Sequence, residues 1–125
     1  EKVLKQSDFI SIHTPLTDET RHLIGDKEFE IMKDSAVLIN TSRGPVVDEK
    51  ALVRALKQKK IWGAGLDVYE NEPLIEEELK ELDNVVLCPH IGSATYDTRI
   101  KMAIMAADNI IAALNGEIPP NCIIL

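Results

Sequence analysis

Four short apolar runs, each followed by a polar or glycine-bearing segment and then a helix-patterned stretch, constrain this chain more than any other feature. Phe9, Ile10, Ser11 and Ile12 make the first run, ended by His13, Thr14 and Pro15. Ala36 to Ile39 make the second, continuous enough to read as a strand buried on both faces. The third extends from Ile61 to Val68 and holds Gly63 and Gly65, a sign of close approach by another backbone or a ligand. Val85, Val86 and Leu87 are the fourth. Asp26 is an N-cap candidate for a helix that uses Phe29, Ile31 and Met32 as apolar positions. Residues 48–59 place Leu52, Val53 and Leu56 at helical spacing, with Lys50, Arg54 and Lys57 free to face water. A short helix is expected over 76–82, and the longest over 94–115 with Gly116 as its C-cap. Strands separated by helices, with no tight hairpin signal, require parallel pairing through crossovers, and so an open α/β sheet.

Bulk properties narrow the partners. A length of 125 residues, 45% hydrophobic and 28% charged, is that of one globular domain able to bury a core. No apolar run approaches the roughly 20 residues of a membrane span. The opening EKVLKQSD reads as entry in mid-helix rather than as a signal sequence. A net charge of −7 argues against nucleic acid, which selects a clustered basic face. Only Lys57, Lys59 and Lys60 lie close together, at a helix end where cations suit the dipole. Cys88 closes an apolar run and reads as a small buried hydrophobe, while Cys122 sits in the tail. No disulfide framework emerges, so a reducing, cytoplasmic setting is expected. The closing IPPNCIIL is too proline-rich to continue a helix, yet apolar enough to dock.

In an open parallel sheet, ligands bind beyond the carboxyl ends of the strands. The four segments that land there read HTPLTDET, NTSRGPVVD, DVYENEP and PHIGSAT, and bring an arginine, several carboxylates and two histidines to one edge. Taken alone, Arg43 reads as an exposed loop arginine, and Asn40, Thr41 and Ser42 as turn formers. A guanidinium at that place can also grip a substrate carboxylate by two parallel hydrogen bonds. His90, between Pro89 and Gly92, suits the donation of a proton to a carbonyl oxygen as hydride arrives at carbon. That role needs a carboxylate to hold the imidazolium, and Glu72, Glu70 and Asp67 all qualify. Asp67 follows an apolar stretch, so it is expected to be partly buried and satisfied by cofactor or backbone donors. His13 and His22 read as positional or surface residues. Ser42 and Ser93 lack a nucleophile-elbow pattern and no histidine pair has metal-ligand spacing, so no metal is expected.

In this order and spacing, NTSRGPVVDEKAL, GAGLDVYENEP and VLCPHIGSAT, with HTPLTDETRHLI before them, resemble the D-isomer-specific 2-hydroxyacid dehydrogenases. The likeness covers nearly the whole chain, and NGEIPPN with the short Glu72-to-His90 interval resembles most the glyoxylate/hydroxypyruvate reductase branch. It implies a Rossmann-like doubly wound parallel sheet, of which this chain is the second half, with a long C-terminal helix. Residues 1–115 are then the C-terminal portion of an NAD(P)-binding domain, and 116–125 a tail returning towards a substrate domain. The resemblance makes Arg43 the carboxylate-binding residue, Glu72 the partner of His90, and His90 the proton donor. It places Thr14, Pro15, Thr20, Thr41, Ser42, Arg43, Asp67, His90, Gly92 and Ser93 against NAD or NADP. The glycine-rich GxGxxG fingerprint is absent and would precede residue 1, as would the residue that selects NAD or NADP. These 125 residues alone are therefore expected to be inactive.

The function so implied is reversible hydride transfer between NAD(P)H and a small 2-ketoacid, glyoxylate or hydroxypyruvate being favoured, in a homodimer. Tyr69 and the DVYENEP segment are candidates for a part in substrate selectivity. The alternative is a non-catalytic dinucleotide-sensing regulator of the C-terminal-binding-protein corepressor type, which keeps this fold.

Overall fold

A computed structural model describes residues 1–123, in two compact units, residues 1–90 and 91–123. The last two residues of the expected docking tail, Ile124 and Leu125, lie outside the described residues. In the first unit the strands β1 (Phe9–Ile12), β2 (Val37–Asn40), β3 (Gly63–Leu66) and β4 (Val85–Leu87) form one parallel sheet in sequence order. The crossovers carry α2 (Asp26–Ile31), α3 (Glu49–Lys57) and α4 (Glu77–Lys80), and α1 (Lys2–Gln6) precedes β1. All four strands therefore end along one edge.

The core lies on one face of the sheet. Ile10, Ile12, Leu38, Ala64 and Leu66 alternate inward and meet Phe29, Leu52, Leu56 and Leu79 from the helices. Period-2 alternation explains why only every second strand residue joins that cluster. The other face departs from the sequence reading of β2 as buried on both sides. Val37 and Ile39 are only half-buried, Val86 is exposed, and with Gly65 and the exposed Trp62 they line a cavity of about 720 Å³. The two strand glycines have different reasons. A Cβ on Gly63 would stand 2.9 Å from Asn84 O, whereas one on Gly65 would meet nothing within 4 Å.

Helix boundaries follow local chemistry. The α2 N-cap is Gly25, not Asp26 as the sequence suggests: Gly25 N–H donates to Glu28 Oε2 at 3.0 Å. Asp26 is instead drawn into a two-bond pair with Arg54 of α3, at 3.0 and 2.7 Å. Asp48 caps α3 by accepting from Ala51 N–H at 2.9 Å. In the basic cluster at the end of α3, Lys57 pairs with Glu78 and Lys60 with Glu30. Cys88 is half-buried rather than fully enclosed, and both cysteines are free thiols.

The second unit is built on α5 (Tyr96–Leu114), whose N-cap Thr95 accepts from Thr98 N–H at 3.3 Å. Gly116, at φ 76°, follows the C-cap Asn115. The tail turns back on this helix, with Asn121 N–H donating to Asn109 Oδ1 at 3.2 Å. Among the described residues no helix is long and apolar enough to cross a membrane.

Candidate active site

The segment after β2 is organised by Asn40, which closes the strand with only 1% of its surface exposed. A polar side chain so buried has to be hydrogen-bonded, and Asn40 spends both ends of its amide on one loop. Its Nδ2 donates to Arg43 O at 3.0 Å, and its Oδ1 accepts from Ser42 N–H at 3.1 Å and from Ser42 Oγ at 3.0 Å. The loop leads into a 3-10 turn, Gly44–Val46, with Arg43 as its N-cap residue. Arg43 is exposed, and its Nη1 donates to Ser42 O at 2.7 Å.

Gly44 has a steric reason to be glycine. A Cβ there would fall 1.9 Å from the carbonyl carbon and oxygen of Tyr69 and 2.5 Å from Glu70 N. The arginine loop thus lies flush on the Tyr69–Glu70 peptide, which opens the segment after β3. Tyr69, 4% exposed, reaches in two directions. Its N–H donates to Glu72 Oε1 at 3.0 Å, and its hydroxyl donates to Cys88 O at 2.7 Å, two residues before His90. Burial pushes the Tyr69 phenol up, so it remains a donor. The ring is enclosed between strand ends, a supporting place rather than one that meets substrate.

Glu72 and His90 are brought together. His90 Nδ1 stands 2.8 Å from Glu72 Oε2. Glu72 is held below the usual carboxylate range, first by that hydrogen bond and then by the Tyr69 N–H, with the charges of His90 and Arg43 adding to the effect. The carboxylate therefore stays ionised and ties down Nδ1, which leaves Nε2 to exchange a proton. His90 itself sits in the left-handed region, at φ 54°, a backbone state that non-glycine residues occupy at a cost of ~1–3 kcal/mol and that concentrates at functional sites.

The first strand end supplies a cleft of about 590 Å³ lined by His13, Thr14, Pro15, Leu16, Thr41, Ser42 and Arg43. Thr14 Oγ1 is buried there without a hydrogen-bond partner. Such a group costs ~1–3 kcal/mol unless something satisfies it. Hydroxyls from Thr14 and Thr41 beside a guanidinium are donors suited to the sugar and amide groups of a dinucleotide, while Ser42 Oγ, its proton given to Asn40 Oδ1, is left as an acceptor. Thr20 lies outside this lining, since its hydroxyl accepts from Thr17 N–H and donates to Pro15 O, both at 2.7 Å, and shapes the loop. Asp67 is buried at 9% exposed. Gly92 and Ser93 belong to the second unit, where both are exposed.

Sequence reasoning passed over Asn40 as more than a turn former, and over Tyr69 as a brace. The available signals were a polar residue closing an apolar strand and an aromatic directly after Asp67-Val68.

Comparison with known proteins supports this fold. Residues 1–92 match the family described as "D-isomer specific 2-hydroxyacid dehydrogenase, NAD binding domain". A glyoxylate reductase of Thermococcus litoralis is 61% identical over 98% of this chain, which spans 37% of that relative's length. Among solved structures, the TT0316 protein of Thermus thermophilus superposes with a TM-score of 0.93 at 47% identity, over 98% of this chain and 40% of that one. An NADPH-dependent glyoxylate/hydroxypyruvate reductase of Sinorhizobium meliloti, solved with NADP and malonate, gives a TM-score of 0.85 at 40% identity, over 89% and 35% of the two chains.

Proposed function

Because this chain belongs to the D-isomer specific 2-hydroxyacid dehydrogenases, matching their NAD binding domain, we propose that the full-length protein interconverts a small 2-ketoacid and its D-2-hydroxyacid with NAD(P)H. Glyoxylate and hydroxypyruvate are the favoured substrates, by analogy with the similar reductases of known name. The observation that carries the reading is the Glu72–His90 pair, 2.8 Å apart, on the strand edge that also bears Arg43. Residues 1–115 then form the C-terminal portion of the cofactor domain, and 116–125 lead towards the substrate domain. Free thiols at Cys88 and Cys122 suit a cytoplasmic, reducing setting.

Each chain residue has a defined task. Arg43 binds the substrate carboxylate through paired N–H donors and turns the carbonyl towards His90. The cofactor, when bound, supplies hydride to the carbonyl carbon. His90 gives its Nε2 proton to the carbonyl oxygen, and in the reverse direction takes the hydroxyl proton. Glu72 accepts from Nδ1 and fixes the ring's orientation, so that Nε2 is the nitrogen that exchanges the proton. Thr14, Thr41 and Ser42 would contact the cofactor along the 590 Å³ cleft.

The test is reductase activity of the full-length protein with glyoxylate, hydroxypyruvate and pyruvate, following NADH and NADPH separately. Arg43→Ala and His90→Ala should each lower kcat/KM by ~10²-fold or more. Wild-type activity in either variant would overturn the assignment, and activity with none of the three ketoacids would redirect the reading to dinucleotide sensing.

A further inference from the structure

The turn that aims Glu72 is gripped from a direction the chemistry above does not use. Glu70 and Glu49, the first residue of α3, exchange reciprocal bonds. Glu70 N–H donates to Glu49 Oε1, and Glu49 N–H donates to Glu70 Oε2 at 3.4 Å. On its other oxygen Glu70 meets His22 Nε2 at 2.6 Å, across 48 residues of sequence. His22 is itself held in the left-handed region, at φ 51°, by its N–H donating to Pro45 O at 2.8 Å. Pro45 adjoins Gly44, whose Cα presses on the Tyr69–Glu70 peptide. The 22–24 turn, the arginine loop, the start of α3 and the Glu72 turn therefore converge on the one residue Glu70.

Stability alone does not account for such a cluster. It seats two carboxylates side by side, with Glu49 only 5% exposed, and offsets their repulsion with two backbone N–H donors and one imidazole. An apolar contact would tie the same segments together at lower electrostatic cost. What the polar version adds is direction. Hydrogen bonds fix the Glu70 backbone in angle as well as distance, and Glu72 follows two residues later.

We propose that Glu70, braced by Glu49 and His22, is a positioning residue for the reaction: it fixes the turn from which Glu72 holds His90 Nδ1. This rests on the dehydrogenase reading for its functional meaning, although the positioning itself is a property of the chain. Loss of the brace lets the Glu72 carboxylate wander and leaves Nδ1 intermittently unbonded. The imidazole then presents Nε2 in the productive direction for only part of the time, without any loss of the residues that touch substrate or cofactor.

The test uses the full-length protein labelled with 15N-histidine, with the His90 ring signals assigned by their disappearance in His90→Ala. Glu72→Gln marks where the Nδ1 signal lies when the carboxylate bond is broken. In Glu70→Ala the Nδ1 signal should move towards that mark, and in Glu70→Gln, which keeps one acceptor for His22, it should move less. His22→Gln removes the outer brace from an exposed side chain and should shift the signal in the same direction, which keeps the test decisive if Glu70→Ala does not fold. For the same variants kcat should fall by ~10–10²-fold while KM for the nicotinamide cofactor changes by about twofold or less. Unchanged His90 signals in Glu70→Ala or in His22→Gln, with wild-type circular dichroism, would overturn the proposal. If the wild type reduces no ketoacid while the ring signals shift as described, the dehydrogenase reading fails and the positioning stands.

Discussion

Gly44→Ala tests the packing of the site most directly, because backbone atoms alone oppose the added methyl. The new Cβ would lie 1.9 Å from Tyr69 C and O, about 1.5 Å short of the 3.4 Å at which ordinary van der Waals contact begins. No side chain can swing aside to relieve it, so either the arginine loop lifts or the Tyr69–Glu70 peptide retreats. Gly44 has no positive φ, so alanine carries no conformational penalty and should even gain ~0.4–1 kcal/mol through a less flexible unfolded chain. Against that gain stands overpacking, which costs ~1–3 kcal/mol where neighbours can adjust and more where they cannot. Movement of the loop also strains the bonds from His22 N–H to Pro45 O and from Ile24 N–H to Val46 O. The clash wins, and a net loss of ~2 kcal/mol or more is expected in chemical denaturation of the full-length protein. Turnover should fall further than stability implies. Displacing Arg43 or Glu72 by about an ångström is enough for a ~10²-fold loss. Gly65→Ala is the control, since its Cβ meets nothing within 4 Å, and it should be neutral or slightly stabilising. A Gly44→Ala protein within about 0.5 kcal/mol of wild type, with normal kcat/KM, would refute the claim that these two loops are in backbone contact.

Other perturbations separate strain, buried polarity and ionisation. His90→Gly and His90→Ala should both abolish turnover, but the glycine variant should be more stable by ~1 kcal/mol because φ 54° suits it; equal denaturation midpoints would argue against the left-handed conformation. Asn40→Ala should lose ~1–3 kcal/mol, since it removes three part-buried hydrogen bonds at once, and a loss under about 0.5 kcal/mol by urea denaturation would refute that role. The two carboxyls shifted in opposite directions give opposite pH dependences. Glu49 is raised above 4.5, chiefly by burial, so its contribution to stability is complete below that pH and is lost as pH rises through the raised value. Glu72 is lowered, chiefly by the His90 hydrogen bond, so its contribution is present above 4.5 and is lost as pH falls through the lowered value. Denaturation from pH 4 to 7 should show Glu49→Gln losing less stability on the alkaline side than wild type does; parallel curves would contradict the assigned burial.

The strands were legible because their apolar runs are short and bounded: β1 and β4 coincide with Phe9–Ile12 and Val85–Leu87. Helix ends were less so. Asp26 looked like a cap because its type favours that role, but the 3-10 turn and α3 bring Arg54 within reach, and a two-bond pair outcompeted the local backbone. The expectation of a double-sided strand at Ala36–Ile39 met a sheet with one covered face, since hydrophobicity records that a residue is to be buried without recording by what. Among site residues, His90 was suggested by type and strand-end position, whereas Arg43 read alone as an exposed loop arginine and Glu72 was singled out from Glu70 and Asp67 only by the family resemblance. Their braces carried no such signal, because Glu70 to His22 and Tyr69 to Cys88 are contacts across 48 and 19 residues that no local pattern announces.

Those invisible contacts explain how exposed side chains can hold a defined geometry. Glu72 and His90 are both surface residues, and an ion pair between exposed groups is worth only ~0–1 kcal/mol, too little to fix its own members. Order has to come from the backbones that carry them. Tyr69 supplies it for both at once, with its N–H on Glu72 and its hydroxyl on the strand end that leads into His90. Asn40 does the same for the arginine loop, and Gly44 sets that loop against the Tyr69–Glu70 peptide. The solvent-facing groups are thus free to meet a ligand, while precision resides one layer below, in the buried residues Asn40 and Tyr69 that bond to the loops carrying them. Substitutions in that layer should consequently alter turnover through geometry, and those at Arg43 or His90 through chemistry, a distinction that the His90 ring signals can read independently of rate.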